Sequence, residues 1–128
     1  MTYVTDPIGD LLTRIRNAQA ARRHSCRAPL SRLKKELCDL LVVEGWLQSV
    51  EIVGEAPKQE IEVYFVPGKI LTLKRESKPG RRLYQGTAEL KPVQRGYGQA
   101  ILTTSQGILT DRDARKRKIG GELLCTIS

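Results

Sequence analysis

The chain reads as an α+β protein of two small lobes: N-terminal helices on a short β-sheet over residues 1–67, then a mostly β lobe with one short helix over residues 68–128. Three observations predict this. The first half holds two apolar stripes at helical spacing, each opened by a capping residue. Past Pro67-Gly68 the text changes to short apolar runs broken by turn residues. The charge changes at the same place: nine bases balance nine acids before Pro67, whereas thirteen bases face five acids after it, which is the whole net charge of +8.

In chain order, Asp6-Pro7 is a helix start, a capping carboxylate followed by proline at the first helical position. Ile8, Leu11, Leu12, Ile15 and Ala18 form the stripe that follows. Arg14, Arg16 and Asn17 lie off it, on a face that is either simply solvated or in contact with phosphate. Arg22, Arg23 and His24 fall in a connection, and residues 26–30 read as a short strand ended at Pro29. Ser31 caps a second helix with Leu33, Leu37, Leu40 and Leu41 as its stripe and Lys34 and Lys35 outside it; Gly45 ends it in a left-handed turn that folds Trp46 back on Leu41 as core. Residues 47–53 and 61–66 read as a hairpin. In the second lobe, strands are expected at residues 70–74, 82–84, 99–103, 108–109 and 122–127, with turns at Lys78-Pro79-Gly80-Arg81 and Gly96-Tyr97-Gly98 and a helical turn within residues 88–93. Thr110 and Asp113 set up a capping box for a short helix carrying Arg112, Arg115, Lys116, Arg117 and Lys118, which Gly120-Gly121 should end.

With 128 residues and 40% hydrophobic content the chain can bury a core. The N-terminus lacks the basic start, apolar run and cleavage site of a signal peptide, and no segment has the apolar length of a membrane span. Three cysteines without a CxxC spacing, and a single histidine, point to reduced cytoplasmic thiols and to no metal site. No cofactor fingerprint is present: a P-loop is missing, and Gly96-Tyr97-Gly98 lacks the rest of a dinucleotide motif. An enzyme is not expected, because Ser105 sits in no GxSxG elbow and the one histidine is in the other lobe.

The sorted charge points to a polyanion. Residues 14–35 hold eight bases and no acid, whereas the seven acids between Glu36 and Glu62 are met by Lys58 alone, so that side should face away from nucleic acid or toward a basic partner. The most telling local feature is Thr103, Thr104, Ser105, Gln106 and Gly107, three hydroxyls and an amide before a glycine between apolar runs. Hydroxyls can meet phosphate oxygens and ribose 2′-OH groups. The competing reading is a hairpin turn that bonds its own backbone. Aromatics are only 5% of the chain, which disfavours base-stacking platforms, and the basic helix is too short to read a DNA major groove. Structured RNA, with its shallow minor groove, is the better match. A non-ribosomal structured-RNA binder or translational regulator is the alternative this composition leaves open.

Residues 6–18 (DPIGDLLTRIRNA), Glu44-Gly45-Trp46, Pro79-Gly80 with Arg82 and Tyr84, the Gly-x-Gly bend, the Thr/Ser turn, Thr110-Asp111-Arg112, Ala114-Arg115 and residues 120–125 (GGELLC) follow one another in an order that resembles the bacterial small-subunit ribosomal protein S-eight family nearly end to end. The resemblance implies a structural protein of the small ribosomal subunit. It would bind a stem in the central domain of small-subunit ribosomal RNA early in assembly, sit among neighbouring small-subunit proteins, and in bacteria could also repress its own operon messenger RNA. It assigns RNA contact to Thr103, Thr104, Ser105 and Gly107, and to Tyr84 and Glu122; from the residues alone Glu122 could equally pair with an arginine. Lys78, Arg82, Arg112, Arg115, Arg14, Arg16, Asn17, Lys34 and Lys35 would hold backbone, and Gln106 stands where the family often has lysine. The C-terminal lobe would grip the stem while the N-terminal lobe touches neighbouring RNA.

Overall fold

The computed structural model describes residues 6–77, 83–86 and 98–128. They form three helices and two antiparallel sheets, an α+β architecture, in the order α1 (Pro7–Ala20), β1 (Ser25–Pro29), α2 (Arg32–Val43), β2 (Leu47–Val53), β3 (Glu60–Phe65), β4 (Leu73–Arg75), β5 (Tyr84–Gln85), β6 (Gln99–Thr104), β7 (Gly107–Thr110), α3 (Asp111–Arg117) and β8 (Gly121–Ile127). The chain divides into a unit of residues 10–71 and a second made of residues 72–128 with those up to Gly9, so the division falls a few residues beyond Pro67-Gly68 and also cuts through α1.

The first unit carries the sheet β1-β3-β2. Period-two alternation turns Ala28, Ile61, Val63, Phe65 and Leu47 inward, joined in the core by Leu11, Leu12 and Ile15 of α1 and Leu37, Cys38 and Leu41 of α2. The α2 stripe differs from the expected one. Leu33 and Leu40 are only half-buried, and the buried row is Lys34, Leu37, Cys38 and Leu41. The helical repeat sets that row. The Lys34 stem serves as its apolar member while the ammonium donates to the Pro29 carbonyl at 3.1 Å. Ser31 caps α2 by accepting from Lys34 N, as expected. At the other end Gly45 takes φ +83°, and Trp46 N donates to Leu41 O and Gly45 N to Val42 O, the paired bonds of a Schellman motif. The α1 end repeats the motif with an arginine: Arg22 takes φ +58°, with Arg23 N on Ala18 O and Arg22 N on Gln19 O.

The second unit carries the five-stranded sheet β4-β8-β6-β7, with β5 also paired to β8. Asp6 caps α1 through Gly9 N, and its two carboxylate oxygens receive the Arg75 fork at 3.2 Å each. On the face covered by α3, Ala100, Leu102, Ala114 and Leu123 form a cluster, with Leu83 half-buried against it. Thr110 caps α3 by accepting from Asp113 N. The helix stops earlier than expected. Lys118, at φ +54°, makes the reversal with Ile119 N on Ala114 O, so Gly120-Gly121 do not end it. Gly121 serves β8 instead, since a Cβ there would run into the Thr103 carbonyl of β6 and come within 2.9 Å of the Thr104 methyl. Residues 88–93, Gly96 and Tyr97, and Lys78-Pro79-Gly80-Arg81 lie outside the described residues.

Candidate nucleic-acid interface

Pairing on β8 assembles three of the residues singled out in the sequence. Glu122 stands directly opposite Tyr84 of β5 on one side and Thr103 of β6 on the other. Directly paired residues share a face of the sheet. They form a row on the face that Leu102 and Leu123 do not occupy. The approach of β5 is fixed by Ser77, which is fully buried: its hydroxyl accepts from Leu83 N at 2.8 Å, while Leu83 O accepts from Leu123 N at 2.7 Å. Tyr84, held at 68% exposure, is an open ring and hydroxyl at the rim of the row. Thr103 differs from expectation in its hydroxyl. Oγ1 is shut off from solvent and finds no partner among the described residues.

The row runs into the β6–β7 hairpin. Here the two readings of the turn divide between adjacent residues. Thr104 Oγ1 accepts from Gln106 N at 3.1 Å and donates to Gly107 O at 2.8 Å, so this hydroxyl closes the turn on its own backbone. Gly107 takes φ +102°, a left-handed conformation that glycine adopts without strain. Ser105 and Gln106 remain exposed at the tip. Gln106 Oε1 receives Arg117 Nη1 at 2.9 Å, which ties the tip to α3 and places a guanidinium beside it. Arg117 is a residue the sequence reading had placed only in a charged helix. Arg112 is exposed, and Arg115 reaches Asp111 at 3.5 Å. Lys78 and Arg82 lie outside the described residues.

In the other unit, Arg14, Arg16 and Asn17 are exposed on α1. Arg14 pairs with Asp10 at 2.9 Å and donates to the Arg27 carbonyl at 3.1 Å. With Asn17, Ala18, Ala21, Arg23, Cys26 and Arg27 it lines a groove of about 310 Å³. Arg23 and Arg27 were visible in the acid-free run but gave no sign from spacing that β1 would carry them beside α1. The α2 bases are less available: Lys34 is buried on Pro29, and Lys35 pairs with Asp39 at 2.7 Å. On the expected acidic side, Glu51 stands opposite Glu62 in register, and Arg27 flanks Glu62 at 3.3 Å on its other side.

Burial pushes the thiols of Cys26, Cys38 and Cys125 up to about 11, about 12 and about 12, so all three stay protonated and unreactive near neutral pH. Among the described residues no group of three or more His, Cys, Asp or Glu side chains could hold a metal ion. No helix of the described residues is long and apolar enough to cross a membrane.

Comparison with known proteins fits this geometry to a family. The model of the family described as ribosomal protein S8 matches residues 6–128. The small ribosomal subunit protein uS8 of Acidithiobacillus ferrooxidans is 46% identical over 129 residues, covering 98% of each chain. That of Desulforudis audaxviator is 46% identical over 97% of this chain and 98% of its own. That of Thermus thermophilus is 44% identical over 97% of this chain and 99% of its own. On a match this long and this even, the chain belongs to the ribosomal protein S8 family.

Proposed function

We propose that this protein is a structural, non-catalytic constituent of the small ribosomal subunit that grips a stem in the central domain of the subunit's ribosomal RNA. The observation that carries the reading is the row of Tyr84, Glu122 and Thr103 across β8, which leads along β6 to the strip's end at the hairpin tip of Ser105 and Gln106, where Arg117 of α3 bonds Gln106. The sheet and its hairpin offer an exposed ring, a carboxylate acceptor and a free hydroxyl, and α3 adds a guanidinium at the hairpin tip. A cation there meets backbone phosphate and fixes register. The serine hydroxyl and the carboxylate meet 2′-OH groups and base amino groups presented in a shallow groove. The sheet supplies rigidity, so little conformational freedom is lost on binding. The first unit adds the basic α1 and β1 side chains against adjoining RNA. Its carboxylate face, around Glu51 and Glu62, suits a basic neighbouring ribosomal protein. A messenger RNA from its own operon that imitates the stem would occupy the same strip.

A gel-shift titration tests this. The full chain should bind a central-domain stem more tightly than a plain duplex of equal length. If six to ten phosphates are neutralised, affinity should fall on the order of a thousandfold from low to physiological salt. Equal affinity for both RNAs, or a flat salt profile, would overturn the reading.

A further inference from the structure

The first unit contains a second cationic cavity that the strip does not explain. It measures about 300 Å³ and is lined by Gln19, Arg22, Arg23, His24 and residues 65–70, with no acid among them. Its size lies at the lower end of small-ligand sites. Its rim is cationic, since Arg22 and Arg23 are both exposed. Its lining is also apolar: it includes the buried Phe65 and Ile70, which stands 83% exposed, the most open large hydrophobic side chain described. One cavity thus joins an exposed aliphatic side chain to two exposed guanidiniums, a lining that complements a ligand with a flat apolar surface and a negative charge.

The cavity is also held open by specific bonds. Gln19 donates through Nε2 to Lys69 O at 3.3 Å and accepts from Leu71 N at 3.1 Å, which pins the 66–70 segment to the end of α1. Phe65 N donates to His24 O at 3.0 Å. The Lys69 ammonium is drawn to Gly45 O at 3.1 Å and lies 4.6 Å from the Trp46 ring centroid, leaving the two arginines as the rim's cations. Arg22 occupies a left-handed position, φ +58°, where glycine would be easier.

We infer that this cavity takes one unpaired nucleotide of the bound RNA, with its phosphate on Arg22 and Arg23 and its base laid against Ile70 and Phe65. The inference rests on the RNA-binding reading above and adds to it a second contact, on the other unit, that reads single-stranded RNA instead of a stem. It commits to RNA because the lining pairs cations with an apolar wall and offers no carboxylate to a basic protein.

Two RNAs separate the possibilities: the central-domain stem with its flanking unpaired nucleotides, and the same stem trimmed to its paired core. The variants are Arg22→Gly, which keeps the backbone turn; Arg22→Gly with Arg23→Ala; and Ile70→Ser, at an exposed position. The double variant should bind the flanked RNA at least tenfold more weakly and the trimmed stem within twofold of wild type, with the salt slope on the flanked RNA reduced by about two. Ile70→Ser should lose threefold or more on the flanked RNA alone. Wild-type affinity of these variants for the flanked RNA would overturn the cavity's role. Equal loss on both RNAs would reduce the arginines to general charge and overturn it too. The parent reading is tested separately by Ser105→Ala on the trimmed stem: if that variant loses affinity while the cavity variants lose none, only the cavity proposal fails. If wild type prefers neither RNA to plain duplex, both fail.

Discussion

Thr104 and Ser105 are neighbours with chemically alike side chains, and the structure gives them opposite jobs, so replacing each in turn isolates what the hairpin does. Thr104→Ala deletes the hydroxyl that accepts from Gln106 N and donates to Gly107 O. Two hydrogen bonds at a partly exposed turn, each contributing about 0.5–1 kcal/mol, make the expected loss of folding stability about 1–2 kcal/mol. With a urea slope of about 2 kcal/mol per molar, typical of small domains, the midpoint should drop by about 0.5–1 M. Thr104→Ser keeps both bonds and should recover most of the loss. Ser105 is exposed at the tip, so Ser105→Ala should leave the midpoint within about 0.2 M of wild type. Its effect should appear in RNA affinity instead, weakened by about 1–3 kcal/mol, or roughly five- to 150-fold, if a buried RNA partner loses its hydrogen bond. Urea unfolding and a filter-binding titration on the same preparations read both quantities. Unchanged affinity for Ser105→Ala would return the whole turn to a structural role. An unchanged midpoint for Thr104→Ala would show that the turn does not depend on the bonds drawn for it.

Three further outcomes follow from the backbone and the core. Lys118→Gly relieves a left-handed residue at φ +54° and should raise stability by about 0.5–1 kcal/mol, seen as a higher melting temperature; a loss would mean that the α3 stop is not strained. Gly121→Ala should cost about 1–3 kcal/mol, because its Cβ meets the Thr103 carbonyl and cannot be accommodated without parting β6 from β8; a neutral result would contradict that close approach. The thiols of Cys38 and Cys125 ionise near 9 in the unfolded chain and near 12 when buried, so above pH 9 the unfolded state binds fewer protons and stability falls. The slope should approach about 1.4 kcal/mol per pH unit per thiol between pH 9 and 12, fade out below about pH 8, and be flatter in Cys38→Ala and Cys125→Ala when urea midpoints are compared across pH.

Local signals carried most of the fold. Ser31, Thr110 and Asp6 each cap the helix expected of them, because capping needs only a side-chain oxygen within a few residues of the first free amides. Gly45 and Trp46 close α2 by another local device, backbone amides donating to Val42 O and Leu41 O across a left-handed glycine, although Trp46 is half-buried and not full core. The departures arose where residue identity misrepresents the environment. Leu33 and Leu40 look like core but lie beside the buried row, while Lys34, whose charge suggests solvent, enters that row by its methylenes. Gly120-Gly121 look like a helix stop, yet the α3 reversal falls on a lysine, and the second glycine is required by a strand that approaches from elsewhere in the chain. That requirement is a tertiary contact and leaves no mark in the local text.

The site divides in the same way. Charge sorting and the hydroxyl run were legible because they are compositional and contiguous, and they located the hairpin tip. The row that gives the tip its setting was not, because nothing near Glu122 says that β8 will lie between β5 and β6 with Tyr84 and Thr103 as direct partners. The bulge in that pairing matters here. Ile101 faces Cys125 but Leu102 faces Leu123, so β8 spends an additional residue between the two pairs. Without it, the side chains beyond would exchange faces: Leu123 would leave the α3 cluster, and Glu122 would be turned beneath the helix. One irregular step in a strand pairing thus determines that a carboxylate, a tyrosine and the strand leading to the hydroxyl-bearing turn share one face of the sheet. This explains why the functional strip depends on the register of β8 more than on any single side chain in it.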